Sequence, residues 1–311
     1  MLAFAAGDVE TQMSHQQLHW FEKQVVQLTA AAALAVVYFL LYPAVRLCDE
    51  RTAIAFFPTG SYGQALAFAV MVVALAGACG LMTISARPEG AILATLVAVG
   101  GISLHSASFN TLLWMDSDGY GGTLRLLAAE TLFMGVILTV AVAVIGGVRR
   151  MVRAVRPNWL WRSPMGEPAA PRRQNFQLLL GRSLVSMGLS VLIAVVLLLI
   201  LLQSDQRGQA IFALVASFTL AVLIAHRSMP APFSVVFLAG PLLAGIFLYI
   251  LASVASIGTR VEDWVMVPLY ARALPIDWLS AGGAGAALGF WLSERGNEAQ
   301  FLENLDVAKG S

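Results

Sequence analysis

A run of about 20 residues with almost no charge recurs eight times along this chain, and that repetition decides the class of fold. A helix needs roughly 20 mostly apolar residues to cross about 30 Å of hydrocarbon. Runs of this kind lie near 25–45, 64–84, 91–112, 124–148, 184–202, 209–225, 233–256 and 274–292. The sixth and eighth are short, and polar residues dilute the third. Only 12% of the 311 residues are charged, against about a quarter in soluble domains. Inside a bilayer the backbone has no water to bond, so a span must close its own hydrogen bonds. The runs are too long for barrel strands and do not alternate apolar with polar residues. The expected fold is all-α: a polytopic membrane helix bundle of about eight transmembrane helices.

The positive charges orient it. Arg149, Arg150, Arg153, Arg156, Arg162, Arg172, Arg173 and Arg182 crowd one connection. Placing that connection in the cytoplasm puts thirteen Lys and Arg residues inside and six outside, as the positive-inside rule requires. Both termini are then cytoplasmic. The seven tryptophans fall at or near span ends, where indoles settle at the membrane interface. The first 24 residues are polar and lack the basic start and apolar core of a secretory signal. The Ala-, Gly- and Arg-rich composition points to a bacterial cytoplasmic (inner) membrane. Cys48 and Cys79 fall at opposite faces, too far apart for a disulfide.

An internal duplication is written in the same chain. Residues 125–135 read Arg125-x-Leu127-x-x-Glu130-x-Leu132-x-x-Gly135, and residues 272–282 read Arg272-x-Leu274-x-x-Asp277-x-Leu279-x-x-Gly282. Gly63-Gln64-Ala65 recurs as Gly208-Gln209-Ala210, and Gly101-Ile102-x-Leu104-His105 as Gly245-Ile246-x-Leu248-Tyr249. The offsets are 147, 145 and 144 residues, in order along the chain. Four spans per copy is an even number, so the copies enter from the same side and form parallel repeats about an axis along the membrane normal. The expected segments are an amphipathic cytoplasmic stretch at 1–24, a first four-helix repeat at 25–148, a basic linker at 149–175, a second repeat at 176–293 and a cytoplasmic tail at 294–311. Four prolines keep the linker from being one long helix. Its arginines and tryptophans suit anionic lipids. The connection at 46–62 is longer than its counterpart at 203–208 and has the length to dip back between the helices, to cover the outer mouth, or to be a passive insertion.

Among residues able to carry chemistry, Glu130 and Asp277 come first, because acids within a span are costly and face the bundle interior or water. Five residues along a helix is a turn of about 140°, so a crossed pairing is expected: Arg125 with Asp277 and Arg272 with Glu130. The plainer reading places Asp277 behind Pro275 in the first turn of a helix, where the dipole favours an acid, and lets Glu130 snorkel. His105 and Asn110 belong to the most polar stretch of any run, with Tyr249 as the counterpart of His105. Ala281, Gly285 and Gly289 form a small-residue ridge for close helix packing. Pro241 lies inside the seventh run, where it frees a carbonyl and kinks the helix. His15, His19 and Glu22 share a helix face but number too few for a metal site. Asp116-x-Asp118-Gly119 opens like a calcium loop yet has Leu127 at its twelfth position, where that loop needs glutamate.

No nucleotide loop, nucleophile elbow, metalloprotease helix or acidic metal pair occurs. The sequence implies no cofactor, no metal, no catalytic residue and no nucleic acid, and it weighs against an enzyme. Its partners are the lipid bilayer, anionic lipids at the Arg149–Arg173 linker, and other membrane proteins. Three functions fit. The first is a small-solute transporter or permease working between the repeats, which the fused-dimer layout puts ahead. The second is a non-catalytic scaffold or accessory subunit of a membrane complex. The third is an intramembrane enzyme acting on a lipid or quinone. A water path from outside to His105 favours transport, a packed dry interface favours the scaffold, and a lateral opening beside Glu130 or Asp277 favours the enzyme.

Overall fold

The computed structural model describes residues 20–47, 52–113, 120–155, 173–204, 206–231, 234–255 and 267–310, and these are helical with no strand among them. Among the described residues seven helices are long and apolar enough to cross a membrane. In chain order, α1 is Trp20–Val45, α2 Tyr62–Met82, α3 Pro88–His105, α4 Tyr120–Val155, α5 Arg173–Leu201, α6 Arg207–Ser228 and α7 Ser234–Ala255. The expected eighth span is also helical. It begins as an α-turn at Pro275–Asp277, widens to π-helix at Trp278–Gly282 and continues at Gly283–Gly310. We call residues 275–310 α8. Glycine and alanine lower its hydropathy below that of the other seven. Burial supplies the reason: every residue from 273 to 287 is buried. A helix enclosed by other helices has no lipid to meet, and small side chains let its neighbours close on it.

The eight helices pair in a definite pattern. α2 packs on α4, and α6 on α8; α1 packs on α3, and α5 on α7. Across the middle of the chain α4 lies against α7, and α3 against α8. Close approach is built from glycine at two crossings. A Cβ on Gly285 would stand 2.6 Å from the Val215 carbonyl oxygen, and one on Gly289 would stand 2.5 Å from that of Thr219. So α6 and α8 touch backbone to backbone, and Thr219 Oγ1 donates to the Gly285 carbonyl at 3.1 Å. The π segment of α8 meets α7 by exchange of bulk. Trp278 occupies the space a side chain on Gly245 would need, and Pro241 the space one on Gly282 would need. α7 stays helical through Pro241.

Some boundaries differ from expectation. α1 starts at Trp20, so Glu22 and Val26 are buried in the bundle rather than spread on a membrane surface. α3 ends at His105, and Asn110 stands on a separate turn, Asn110–Leu113. The cause is the long connection after α1. Its residues 52–56 are buried, and it turns back at Gly60, whose φ of +67° favours glycine. Ser61 N–H then closes the turn on the Phe56 carbonyl at 2.8 Å. The Ile54 N–H donates to Ser106 Oγ and the Ala53 N–H to Thr111 Oγ1, both at 2.8 Å, so the loop takes the space that one more turn of α3 would fill. α4 runs on to Val155 and α8 to Gly310. Cys48, Trp114, Asp116, Asp118, His15, His19 and linker residues 156–172 lie outside the described residues.

Candidate functional site

One cluster of buried charge lies at the end of the bundle that the arginine count assigns to the outside. Pro275 opens α8, where its missing N–H costs nothing and its fixed φ suits the first turn. Asp277 follows in that turn, fully buried, and reaches back to accept the Leu274 N–H at 2.8 Å, as an acid at this position of a helix start does. Its other partners come from two other helices. Ser103 Oγ, on α3, donates at 2.6 Å. Arg207, the first residue of α6, donates through Nη1 at 2.5 Å and Nη2 at 2.7 Å. Each carboxylate oxygen thus accepts two hydrogen bonds. Arg207 Nη2 also reaches the Ser103 carbonyl at 2.9 Å and its hydroxyl at 3.0 Å. The result is a bidentate ion pair with a serine clamp, joining α3, α6 and α8.

Glu130 is buried too, on α4, but is held differently. Its Oε2 accepts the N–H of Phe57 at 3.0 Å. Among the described residues its Oε1 has no hydrogen-bond partner. One turn further along α4, Phe133 meets the Phe57 ring with centroids 5.6 Å apart, so α4 grips the inserted loop by a carboxylate and a ring together. Tyr249, fully buried on α7, donates to the Ala273 carbonyl in the approach to α8. It lies near enough to Asp277, Glu130 and Arg207 to interact with their charges. Both acids therefore belong to one polar layer.

The crossed pairing is not what the structure contains. Asp277 takes Arg207 in place of Arg125, and Glu130 takes a loop amide in place of Arg272. Arg125 is exposed on α4, and Arg272 Nε donates to the Val267 carbonyl at 3.1 Å. His105 stands apart, its ring between Tyr38 and Tyr42 at centroid distances of 4.1 and 3.9 Å, with Nε2 3.1 Å from the Tyr38 carbonyl oxygen. Asn110 sits beyond the end of α3 beside the inserted loop.

The sequence reading missed Arg207, which it counted only as an outer positive charge. Its signal was available: an arginine immediately before an apolar run, next to the repeated Gly208-Gln209-Ala210. It also missed a second polar layer at the opposite end. There Glu22 on α1 accepts the Arg87 N–H at 3.0 Å and lies 3.5 Å from Arg295 Nη2. Arg149 Nη2 donates to the Ala86 carbonyl at 2.7 Å, beside the negative end of α2. His226 is fully buried, 2.9 Å from Ser293 Oγ and 3.4 Å from Glu294 Oε1. Among the described residues no group of three or more His, Cys, Asp or Glu side chains is placed to hold a metal. No family model, curated protein or solved structure matches this chain.

Proposed function

We propose that this chain is a multi-pass membrane protein, made from a duplicated four-helix unit, that serves as a non-catalytic scaffold or accessory subunit of a membrane complex. One observation carries the choice: Asp277, buried where Ser103 of the first half meets the second, has its charge matched by Arg207. All four acceptor positions of Asp277 are occupied by Leu274, Ser103 and Arg207. Asp277, Trp278 and Tyr249 are buried. A carboxylate so saturated has no lone pair to offer a solute, and its ion pair fixes how the helices meet. Full burial of both acids leaves the enzyme reading without access to a lipid headgroup or quinone.

The duplication is supported by part of the packing, since α2 lies against α3 without an equally close α6–α7 pair. Advancing each helix by four converts the α2–α4 pair into α6–α8, α1–α3 into α5–α7, and α4–α7 into α8–α3, and all six pairs are in contact. The positive-inside count supports an inner-membrane location with both termini in the cytoplasm. The basic linker suits anionic lipids, although Arg149 at its start is already bonded to the connection after α2.

Purification of the full-length protein in mild detergent, with identification of whatever travels with it, tests the subunit reading. The expected result is a stoichiometric membrane-protein partner. A monodisperse chain without one, moving a solute in proteoliposomes, would overturn it. One observation favours that second reading, a small-solute transporter: the loop at 52–60 hangs on Glu130, whose second oxygen is unpartnered among the described residues.

A further inference from the structure

The repeated phrases put Glu130 and Asp277 at corresponding positions, and the same correspondence says what should stand beside each. Gly63-Gln64-Ala65 matches Gly208-Gln209-Ala210, so the counterpart of Arg207 is Tyr62. Each is the first residue of its helix, α6 and α2. Gly101 matches Gly245, so the counterpart of Ser103 is Phe247, which is exposed. The second copy thus surrounds its acid with a guanidinium and a hydroxyl, and the first copy supplies neither. Both copies supply a backbone amide. Asp277 Oδ2 accepts the Leu274 N–H together with Arg207 Nη1, and Glu130 Oε2 accepts the Phe57 N–H. The positions that the guanidinium serves on Asp277 have no donor on Glu130. Its Oε1 is buried and without a hydrogen-bond partner among the described residues.

The surroundings of Glu130 narrow the kind of partner it takes. Phe133 lies one turn along α4, and the Phe57 ring stands 5.6 Å from that of Phe133 and 5.8 Å from that of Tyr62, centroid to centroid. Aromatic faces attract guanidinium and ammonium groups, and a guanidinium also presents the paired N–H donors that a carboxylate accepts. A hard metal ion needs about six oxygen ligands, which rings do not provide. The cover over Glu130 is a loop rather than a helix. Phe57, Pro58 and Thr59 are half-buried and Gly60 is exposed. Side chains of the bundle hold this loop at Ala53 through Thr111, at Ile54 through Ser106 and at Phe57 through Glu130. Of these, only the last ties down the 57–60 end. We infer that Glu130 is a binding site for a small organic cation bearing N–H donors, a guanidinium first among them, with residues 57–60 as its cover. The ligand takes on the first copy the place that Arg207 takes on the second. The inference rests on the duplication proposed above, though not on the choice between subunit and transporter.

The test uses the full-length protein in mild detergent with methylguanidinium chloride as the probe. Titration calorimetry should show one saturable site per chain. The bound cation should also hold the cover down. A ligand of the closed form alone, at about ten times its dissociation constant, lowers the open population about elevenfold, and proteolysis within 52–61 should slow to match. Sodium chloride and tetramethylammonium chloride at the same concentration should do neither, the second because it carries charge without N–H donors. This comparison needs only the unaltered protein. Glu130→Gln should lose both responses. Tyr62→Arg, which supplies a guanidinium from the chain itself, should lose the calorimetric response and be cut more slowly without the probe. No binding by the unaltered protein, binding that survives Glu130→Gln, or an equal response to sodium or tetramethylammonium would each overturn the inference. Binding lost in Glu130→Gln but undiminished in Tyr62→Arg would instead sink the correspondence of the repeats.

Discussion

Asp277 and Glu130 occupy corresponding places in two repeated phrases, yet their surroundings set them different tasks. Asp277 neutralises a guanidinium. Removing one partner of a buried ion pair leaves the other uncompensated, at about 3–5 kcal/mol. Arg207 keeps 18% side-chain exposure, so Asp277→Asn should fall at the lower end, read as a drop in the midpoint of thermal or detergent-induced unfolding. Asp277→Asn with Arg207→Gln should cost less than the sum of the two. If the pair contributes independently, the coupling will be absent. Glu130 instead accepts a backbone amide, which a glutamine carbonyl also does. Glu130→Gln should therefore change stability little, whereas Glu130→Leu leaves the N–H of the half-buried Phe57 without its partner at about 1 kcal/mol and should speed proteolysis within 52–61. Equal cleavage of the two variants would show that Glu130 does not hold the loop. The cost of a buried acid made both residues visible in the sequence. Their partners were not, because a loop amide has no signature in side-chain spacing, and Arg207 lies outside the phrase that suggested the pairing.

Among whole elements, apolar run length was enough to place the helices, since a bilayer permits little else. It was not enough to place the ends of α3 or the two π-turns, because those depend on what packs alongside. Ser106 and Thr111 look like continuing helix until the inserted loop takes their hydroxyls. The ridge of Ala281, Gly285 and Gly289 was legible as small-residue spacing. What it packs against was not, since α6 has its own small-residue stripe at Ala213, Ser217, Ala221 and Ala225 yet meets the ridge with the backbone at Val215 and Thr219. That geometry separates glycines that look alike in the sequence. Gly289→Ala would bring a methyl to 2.5 Å from a carbonyl oxygen, so it should lower stability and loosen α6 from α8. Gly146 and Gly147 on α4 have nothing within 4 Å of an added Cβ. Alanine there should be neutral or stabilising by up to about 1 kcal/mol, the difference in helix propensity. A series of thermal unfolding midpoints measures both, and a Gly289→Ala protein as stable as Gly146→Ala would refute the backbone contact.

Over the whole molecule, the two halves are tied at both ends and packed between. At the Asp277 end Ser103, from the first half, bonds to Asp277 and Arg207 from the second. At the other end Glu22, which also accepts the Arg87 N–H, meets Arg295 across the same division. Between these layers α4 lies on α7 and α3 on α8. The repeated phrases predicted that α4 and α8 would be equivalent, but could not show that each pairs with the penultimate helix of the other half. The described ends of the linker, Val155 and Arg173, belong to helices held by other contacts. Chains cut within 156–172 and expressed together should therefore find each other in the membrane, and a tag on the first half should bring down the second. Asp277→Asn should reduce that recovery by removing the tie at its own end, and Glu22→Gln should reduce it at the other end. Both together should reduce it further, because the two layers share no residue and distant sites act independently. Halves that stay separate, or recovery indifferent to both substitutions, would mean that covalent connection rather than the interface holds the bundle together.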